Sequence, residues 1–457
     1  MPADKKGNNL NLRDYIDSLA KRSPARFAML VFAGIIVIFT LLLMLPFSSA
    51  EVRPAPFLTA FFTATSAVCV TGLSVVNTAA YWSPFGQGVI AIGMQIGGLG
   101  VMTLASLLGL AVSRHIGLTQ RILTATETKS RLGDVGSLLR AVLITSLTVE
   151  LVLTAGFLAI FANEGKSLIG TVGNAVFMGI STFNNGGFVS LDTDISHYVG
   201  SWSFGLLIII GTILGAVGFP VVLNISQHRL SVRKWSLHSK LTVVTYLILL
   251  FGGAVLFFIL EFNNNATIGR LPGDEKVLAS IFHAATTRSS GLATLNVNDF
   301  TEASRFMVDI LMFIGGGSAG TGGGIKVTTF AVLILAILAE ARGDRDTEAF
   351  EKRIPHDVLR LAISATFLGA VLVGAATMIL LQITHLPLNV VLFEVISAFA
   401  TCGLSTGTTP TLPGSAQIVL IVLMYLGRVG TMTMAAALAL RHRRRVIRFP
   451  EERPVIG

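Results

Sequence analysis

The sequence predicts an all-α membrane protein in which a span, a re-entrant pore loop and a second span repeat four times around a pseudo-fourfold pore. Three observations predict it. The 457 residues are 52% hydrophobic and only 13% charged, with a mean hydropathy of +0.74, about half the charged fraction of an ordinary soluble domain. Eight apolar runs, near 27–49, 86–112, 140–162, 203–226, 240–262, 305–341, 357–383 and 415–440, reach the length of about 20 residues that a helix needs to cross a bilayer. Between the two runs of each successive pair lies a shorter apolar stretch ending in glycine. Such a stretch is too short to span, and reads as a segment that enters the membrane and turns back.

The first run follows a polar segment, MPADKKGNNLNLRDYIDSLAKRSPAR, which carries both charge signs and is too long for the basic region of a signal peptide. That run is therefore expected to be retained as a transmembrane helix. The 46 glycines far outnumber the 14 prolines and sit inside apolar stretches, which suggests close helix packing and unwound backbone within the protein. Cys69 and Cys402 are the two cysteines. They are too far apart for a local metal motif and too few for a disulfide framework.

Charge gives the orientation. Of the 34 Lys and Arg residues, 26 lie in the N-terminal segment, the loops near 113–140, 226–240 and 342–360, and the tail after 440. With eight spans these all fall on one side, which the positive-inside rule makes cytoplasmic. Both termini are then inside, and the four re-entrant segments face outward. The formal charge of +9 is mainly a topology signal, and nucleic acid is not an expected partner. The tail RHRRRVIRFPEERPVIG reads as a stop-transfer flank, or as a docking site for anionic lipid or a cytosolic partner. The expected organisation is a cytoplasmic segment at 1–26, repeats at 27–112, 113–226, 227–341 and 342–440, and a cytoplasmic tail at 441–457.

Aligned on their last glycine, the four short stretches are FTATSAVCVTGL (62–73), FMGISTFNNGGF (177–188), IFHAATTRSSGL (281–292) and FEVISAFATCGL (393–404). Ten residues before the glycine stand Phe62, Phe177, Ile281 and Phe393. Six before it stand Ser66, Ser181, Ala285 and Ser397, and directly after it Leu73, Phe188, Leu292 and Leu404. Gly72, Gly187, Gly291 and Gly403 are 115, 104 and 112 residues apart. One such stretch is a common interhelical turn, but four at matched positions are a repeat.

Four copies can surround one axis. The first part of each stretch forms a short helix whose carbonyl end carries partial negative charge and favours a cation on the axis. The residues that follow are extended, and glycine allows the dihedrals that aim successive carbonyls inward. Such oxygens can replace the hydration shell of a monovalent cation. None of the five residues ending at each glycine is Asp or Glu, so the expected ligands are backbone carbonyls, not the carboxylates of a divalent-cation ring.

VCVTGLSVVNT after FFTATSA, then FNNGGF, TTRSSGL and FATCGL, resemble the four half-filters of the Trk/Ktr/HKT superfamily of potassium transporters. The resemblance runs from about residue 27 to 440 and is greatest to the membrane subunit of the bacterial Ktr system. It implies channel-like potassium uptake across a bacterial inner membrane, commonly sodium-dependent. It also implies a homodimer with one pore per subunit and a cytosolic ring of nucleotide-binding, RCK-type regulatory subunits. The ion it implies is K+, joined by Na+ where transport is sodium-dependent, and no organic cofactor is expected in this chain. Carried over by position, Val70, Thr71 and Gly72, Asn185, Gly186 and Gly187, Ser289, Ser290 and Gly291, and Thr401, Cys402 and Gly403 line the filter.

The sixth run contains IGGGSAGTGGGIKV, residues 314–327, with seven glycines. Each glycine costs a helix about 1 kcal/mol relative to alanine, so the helix is expected to break in mid-membrane. Unwound backbone is tolerated there only when it lines a watery cavity or is buried in protein. The segment Gly315, Gly316, Gly317, Ser318, Ala319, Gly320, Thr321, Gly322, Gly323 and Gly324 is read either as a tight packing kink or as a movable barrier. In the superfamily the corresponding loop lies beneath the filter and gates the pore. It lacks the GxxxxGK[ST] spacing of a phosphate-binding loop. Lys326 closes it, with a snorkelling side chain as the plain alternative.

Arg428, in MYLGRVGTM of the eighth run, costs about 2.5 kcal/mol or more on membrane insertion, so it should face the pore or a partner. It is either an electrostatic barrier below the filter or half of a structural ion pair, for which Glu150 and Glu394 are the intramembrane or near-membrane acids. Arg288, three residues before Gly291, is expected to point away from the ion and to support the filter, by hydrogen bonds or by pairing with Asp299 or Glu302. His283 is expected to be a packed residue of the short helix. A membrane enzyme is not indicated, because HExxH and a cluster of acids at metal spacing are absent from the sequence. An alternating-access carrier is the competing class, but its repeats are usually two and often inverted.

Overall fold

The computed structural model describes residues 24–115, 135–162, 167–192, 195–228 and 231–430. The first part of the N-terminal segment, most of the basic loop at 113–140, the lower end of the eighth span and the basic tail lie outside the described residues. The described residues are mostly helical. The first unit is α1 (Pro24–Leu43), the short helix α2 (Phe57–Val68) and α3 (Pro84–His115); the second is α4 (Val135–Phe161), the short α5 (Leu168–Asn184), and α6 (Trp202–Val217) with α7 (Phe219–His228). The third is α8 (Leu237–Glu261), the short α9 (Gly273–Thr286), and α10 (Glu302–Phe313) with α11 (Val327–Arg342). The fourth is α12 (His356–Thr384), the short α13 (Leu388–Phe399) and α14 (Gly414–Tyr425), which runs into a π turn at Leu426–Gly430.

Two packing rules repeat four times. Each short helix leans on the first span of its own unit: α2 on α1, α5 on α4, α9 on α8 and α13 on α12. Each also packs against the second span of the preceding unit: α5 on α3, α9 on α6, α13 on α10, and α2 on α14, which closes the circle. The pseudo-fourfold ring expected from the repeat is thus a property of the packing.

The chemistry of the surfaces follows from the solvent. On α8, Ile248, Phe251, Val255 and Ile259 are each more than half exposed, and Tyr246, Leu250, Ala254 and Phe257 are buried on the other face. A helix that turns an apolar face outward and another inward is one whose surroundings are hydrocarbon. Polar side chains collect instead near the axis, where Thr63, Ser66, Thr71, Ser181, Asn185 and Ser397 are almost wholly buried.

Helix ends are set locally. Ser167, Ser201, Ser236 and Thr301 accept backbone N–H bonds at the starts of α5, α6, α8 and α10, and α2, α9, α13 and α14 each begin directly after a proline. Proline's fixed φ suits a helix start and its missing N–H costs nothing there.

Two of the expected spans are broken. The sixth parts at Phe313 and resumes at Val327, as its glycines require. The fourth, expected as one run over 203–226, bends by 98° between Val217 and Phe219. Gly218 there has φ +97, and a Cβ on it would strike the backbone carbonyl of Ser318. The glycine-rich loop thus packs directly against the bend, where only a residue without a Cβ fits. Between α11 and α12, a small antiparallel hairpin pairs β1 (Glu348–Ala349) with β2 (Lys352–Arg353). Its two turn residues, Phe350 and Glu351, both take positive φ, the turn geometry that matches strand twist.

Candidate ion pathway

The four segments after the short helices share one backbone conformation. Val70, Asn185, Ser289 and Thr401 have φ of 54, 59, 100 and 46°, and two residues later Gly72, Gly187, Gly291 and Gly403 have φ of 92, 70, 70 and 94°. Four non-glycine residues with positive φ at one repeated position are strained backbone of the kind found at functional sites. A left-handed residue on either side of an ordinary one turns successive carbonyls toward the same side of the segment.

The glycines also meet. A Cβ on Gly72 would lie 2.7 Å from the Gly187 Cα, one on Gly187 3.3 Å from the Gly291 Cα, one on Gly291 3.0 Å from the Gly403 Cα, and one on Gly403 3.1 Å from the Gly72 Cα. The contacts run in chain order and close on themselves. These four positions therefore form a ring around one axis, at the carbonyl ends of four helices whose dipoles favour a cation there.

The aligned serine braces three of the four segments. Ser66 Oγ accepts from the Gly72 N–H at 3.0 Å, Ser397 Oγ accepts from the Gly403 N–H at 3.1 Å, and Ser181 Oγ donates to the Phe188 carbonyl at 2.8 Å. The third unit has Ala285 in this place. There Cys402 Sγ reaches the Thr287 carbonyl at 3.4 Å, and Thr212 Oγ1 donates to Ser290 Oγ at 3.1 Å. Arg288 is wholly buried and points away from the ring: its guanidinium lies 4.2 Å over the Tyr246 ring of α8, and Nη2 donates to the Gly315 carbonyl at 3.0 Å. Its acceptor is thus a backbone oxygen of the glycine-rich loop, and neither Asp299 nor Glu302.

The loop itself is pinned on all sides. Gly317 N–H donates to the Ala216 carbonyl at 2.7 Å and Thr321 N–H to the Gly215 carbonyl at 3.1 Å, both at the end of α6. Asn185 Nδ2 donates to Thr321 Oγ1 at 2.6 Å, and Gly323 N–H donates to Ser289 Oγ at 3.0 Å. The Phe219 N–H bonds Ala319, and Ser318 pairs with Thr328. Within the stretch from Gly315 to Gly324, Gly316 and Gly320 lie against Gly215 and Ala216, while Thr321, Gly322 and Gly323 reach Asn185, Ser289 and Thr401 of the second, third and fourth segments. A Cβ on Gly323 would strike Thr401 Oγ1.

Two further cations hold it. Arg428, buried in the π turn, donates from Nη1 to the Thr321 carbonyl and from Nη2 to the Gly97 carbonyl at 3.4 Å. Lys326 folds back to donate to the Gly322 carbonyl instead of reaching away from the loop. The ion pair considered for Arg428 does not form. Glu150 accepts instead from Gln95 Nε2 at 3.0 Å, Ser146 Oγ at 2.9 Å and Asn184 Nδ2 at 3.0 Å. Glu394 accepts from Ser405, Thr406, Thr408 and Thr409, fixing the chain just past Gly403. His283 is packed, as expected, stacking on Phe257 with Phe300 edge-on.

Tyr246, Gln95, Asn184 and the carbonyls of Gly215 and Ala216 were not legible as participants. Tyr246 carried some signal as one of five tyrosines in the chain, set in the middle of an apolar span.

The family model for TrkH, described as a cation transport protein, matches residues 10–445. The chain is 34% identical to the Ktr system potassium uptake protein B of Bacillus subtilis over 442 residues, which cover 96% of this chain and 98% of that one. It is 32% identical to the potassium/sodium uptake protein NtpJ of Enterococcus hirae over 426 residues, covering 91% and 93%. Its fold matches the crystal structure of the potassium transporter TrkH from Vibrio parahaemolyticus with a TM-score of 0.72 at 17% identity, over 94% of this chain and 86% of that one. These similarities span nearly the whole chain and are to ion transport proteins, not enzymes. The chain belongs to the TrkH family of cation transport proteins.

Proposed function

We propose that this chain is the ion-conducting membrane subunit of a Ktr-type potassium uptake system. The observation that carries the reading is the closed ring of Gly72, Gly187, Gly291 and Gly403, each two residues after a second left-handed residue. Carbonyls of Val70 to Gly72, Asn185 to Gly187, Ser289 to Gly291 and Thr401 to Gly403 form the selectivity filter, and can replace water around K+. The names of the Bacillus relative and of NtpJ, a potassium uptake protein and a potassium/sodium uptake protein, support potassium as the ion and sodium as its partner.

The loop from Gly315 to Gly324 is the gate. It stands under the filter, its backbone is held by hydrogen bonds that can exchange for others, and its glycines give it freedom to move. Arg428 and Lys326 place positive charge on its carbonyls and lower ion occupancy below the filter. Arg288 supports the third filter segment from behind and does not touch the ion. The protein works in a bacterial cytoplasmic membrane with both termini inside, as a homodimer under a cytosolic ring of nucleotide-binding subunits. The circular packing of four like units favours a pore over an alternating-access carrier, whose repeats rock against each other.

The test is potassium uptake in a strain lacking its own uptake systems, with and without sodium and a candidate regulatory subunit. Rescue is expected, strengthened by sodium. Failure under every combination refutes the reading.

A further inference from the structure

The third unit departs from the other three in ways that point in one direction. Its segment lacks the bracing serine, having Ala285 instead. The N–H before the glycine bonds the carbonyl five residues upstream in the other units (Thr71 to Ser66, Gly186 to Ser181, Cys402 to Ser397), but in the third Ser290 bonds Thr286, one residue nearer. Ser289 stands at φ 100°, away from the 46–59° of its counterparts. Besides the contacts from Cys402 and Thr212, this segment is held by the gating loop, at both of the loop's ends. Arg288 donates to Gly315 at 3.0 Å, and Ser289 accepts from Gly323 at 3.0 Å. Ser289 Oγ also lies 3.1 Å from the Thr401 carbonyl, to which it donates, so the hold extends to the fourth segment.

Arg288 makes this hold directional. Its guanidinium rests on the Tyr246 ring, and its Nε and Nη1 have no hydrogen-bond partner among the described residues. The Gly315 carbonyl is its one acceptor there. When the loop leaves, a buried cation loses that bond and keeps only the ring, which is unfavourable.

We propose that Arg288, cradled by Tyr246, and Ser289 couple the gate to the filter: the third filter segment takes its shape from the closed loop, so that opening the gate also relaxes selectivity. Arg288 and Tyr246 are positioning residues, not ion ligands. The inference rests on the filter and gate proposed above and adds that the two are not independent. A charge-assisted hydrogen bond lost on opening biases the gate toward closure by about tenfold or more.

The test uses the full chain in liposomes, with rubidium and sodium fluxes measured for wild type, Arg288→Gln, Arg288→Lys, Tyr246→Phe, Tyr246→Leu, Ser289→Ala and a deletion of residues 318–321. Arg288→Gln is expected to raise rubidium flux by about tenfold and to lower the rubidium-to-sodium ratio. Tyr246→Leu should follow it, and Tyr246→Phe, which keeps the ring, should resemble wild type. Combined with the loop deletion, Arg288→Gln should add nothing further, because the loop it grips is already gone. Wild-type flux and selectivity in Arg288→Gln, or full additivity with the deletion, overturns the coupling. If Arg288→Gln does not reach the membrane folded, Tyr246→Leu and Ser289→Ala decide by the same criteria. An inactive wild type defeats the filter reading itself, whereas a selective wild type with unchanged variants defeats only the coupling.

Discussion

Gly187→Ala is the most direct test of the glycine ring. Gly187 has φ +70, where an L side chain costs about 1–2 kcal/mol. The added Cβ would stand 2.9 Å from the Gly72 Cα, 3.1 Å from the Ser290 carbonyl oxygen and 3.3 Å from the Gly291 Cα. Ordinary carbon contacts are at about 3.5–4.0 Å, and all three obstacles are backbone, so no flexible side chain can yield. The segments on either side must move outward by a few tenths of an ångström. Forcing such overpacking costs a further 1–3 kcal/mol or so. The smallest sum, about 2 kcal/mol, corresponds to roughly thirtyfold.

That penalty falls on a ring whose spacing the ion reads, so the expected phenotype is loss of potassium flux together with discrimination against sodium, at unchanged protein levels. The assay is paired rubidium and sodium flux in liposomes. Gly252→Ala is the control: it lies on the exposed face of α8 with nothing within 4 Å of a built Cβ. It should leave flux alone while stabilising its helix by up to about 1 kcal/mol. A Gly187→Ala protein that conducts and discriminates as wild type does, at normal abundance, refutes the ring as the selectivity element.

Three further outcomes are expected. Ser66→Ala and Ser397→Ala each remove a hydrogen bond to a filter glycine, worth about 0.5–1.5 kcal/mol; each should weaken potassium-over-sodium discrimination several-fold in the flux assay, and together more than either. Arg428→Gln frees the Thr321 carbonyl and removes positive charge beneath the filter, so uptake velocity should rise without a change in the membrane level of the protein. Glu150→Gln removes the charge that organises Gln95, Ser146 and Asn184 next to Asn185; potassium uptake is expected to require higher external potassium, and an unchanged half-saturating concentration would show that this network is only packing.

The repeat was legible because its signal is periodic and its residues are chemically distinctive. Gly72, Gly187, Gly291 and Gly403 stand out in sequence since each answers a positive φ, and the break at 314–327 stands out since seven glycines cannot make a stable helix. The bend at Gly218 was missed although Gly218-Phe219-Pro220 carries both a helix breaker and a helix starter, because the apolar run continues unbroken through it. Arg288 and Arg428 are both buried, and the acids considered as partners for them, Asp299 or Glu302 and Glu150 or Glu394, are not the groups they bond. Their acceptors are carbonyls of Gly315, Thr321 and Gly97, and a backbone oxygen leaves no trace in side-chain identity. Sequence reading looks for charge against charge, whereas here a cation is satisfied by unwound backbone, which is plentiful only where helices break.

That substitution gives the pathway its polarity. The filter segments contain no acid and one base, Arg288, whose charge is turned away. Attraction for a cation at the glycine ring therefore comes from four helix ends and from carbonyls, which are partial charges that act at short range. The full charges lie at the loop: Arg288 on Gly315, Arg428 on Thr321 and Lys326 on Gly322. Under the proposed gate, each cation occupies a carbonyl that would otherwise face a passing ion, so the closed loop would block the path by its volume and also by withholding its oxygens and presenting positive charge. On opening, the three carbonyls and their cations must separate, and the cost is shared among bonds of one connected group. Removing two of these cations together should then raise flux by less than the product of the single effects, a non-additivity that independent barriers in series would not produce.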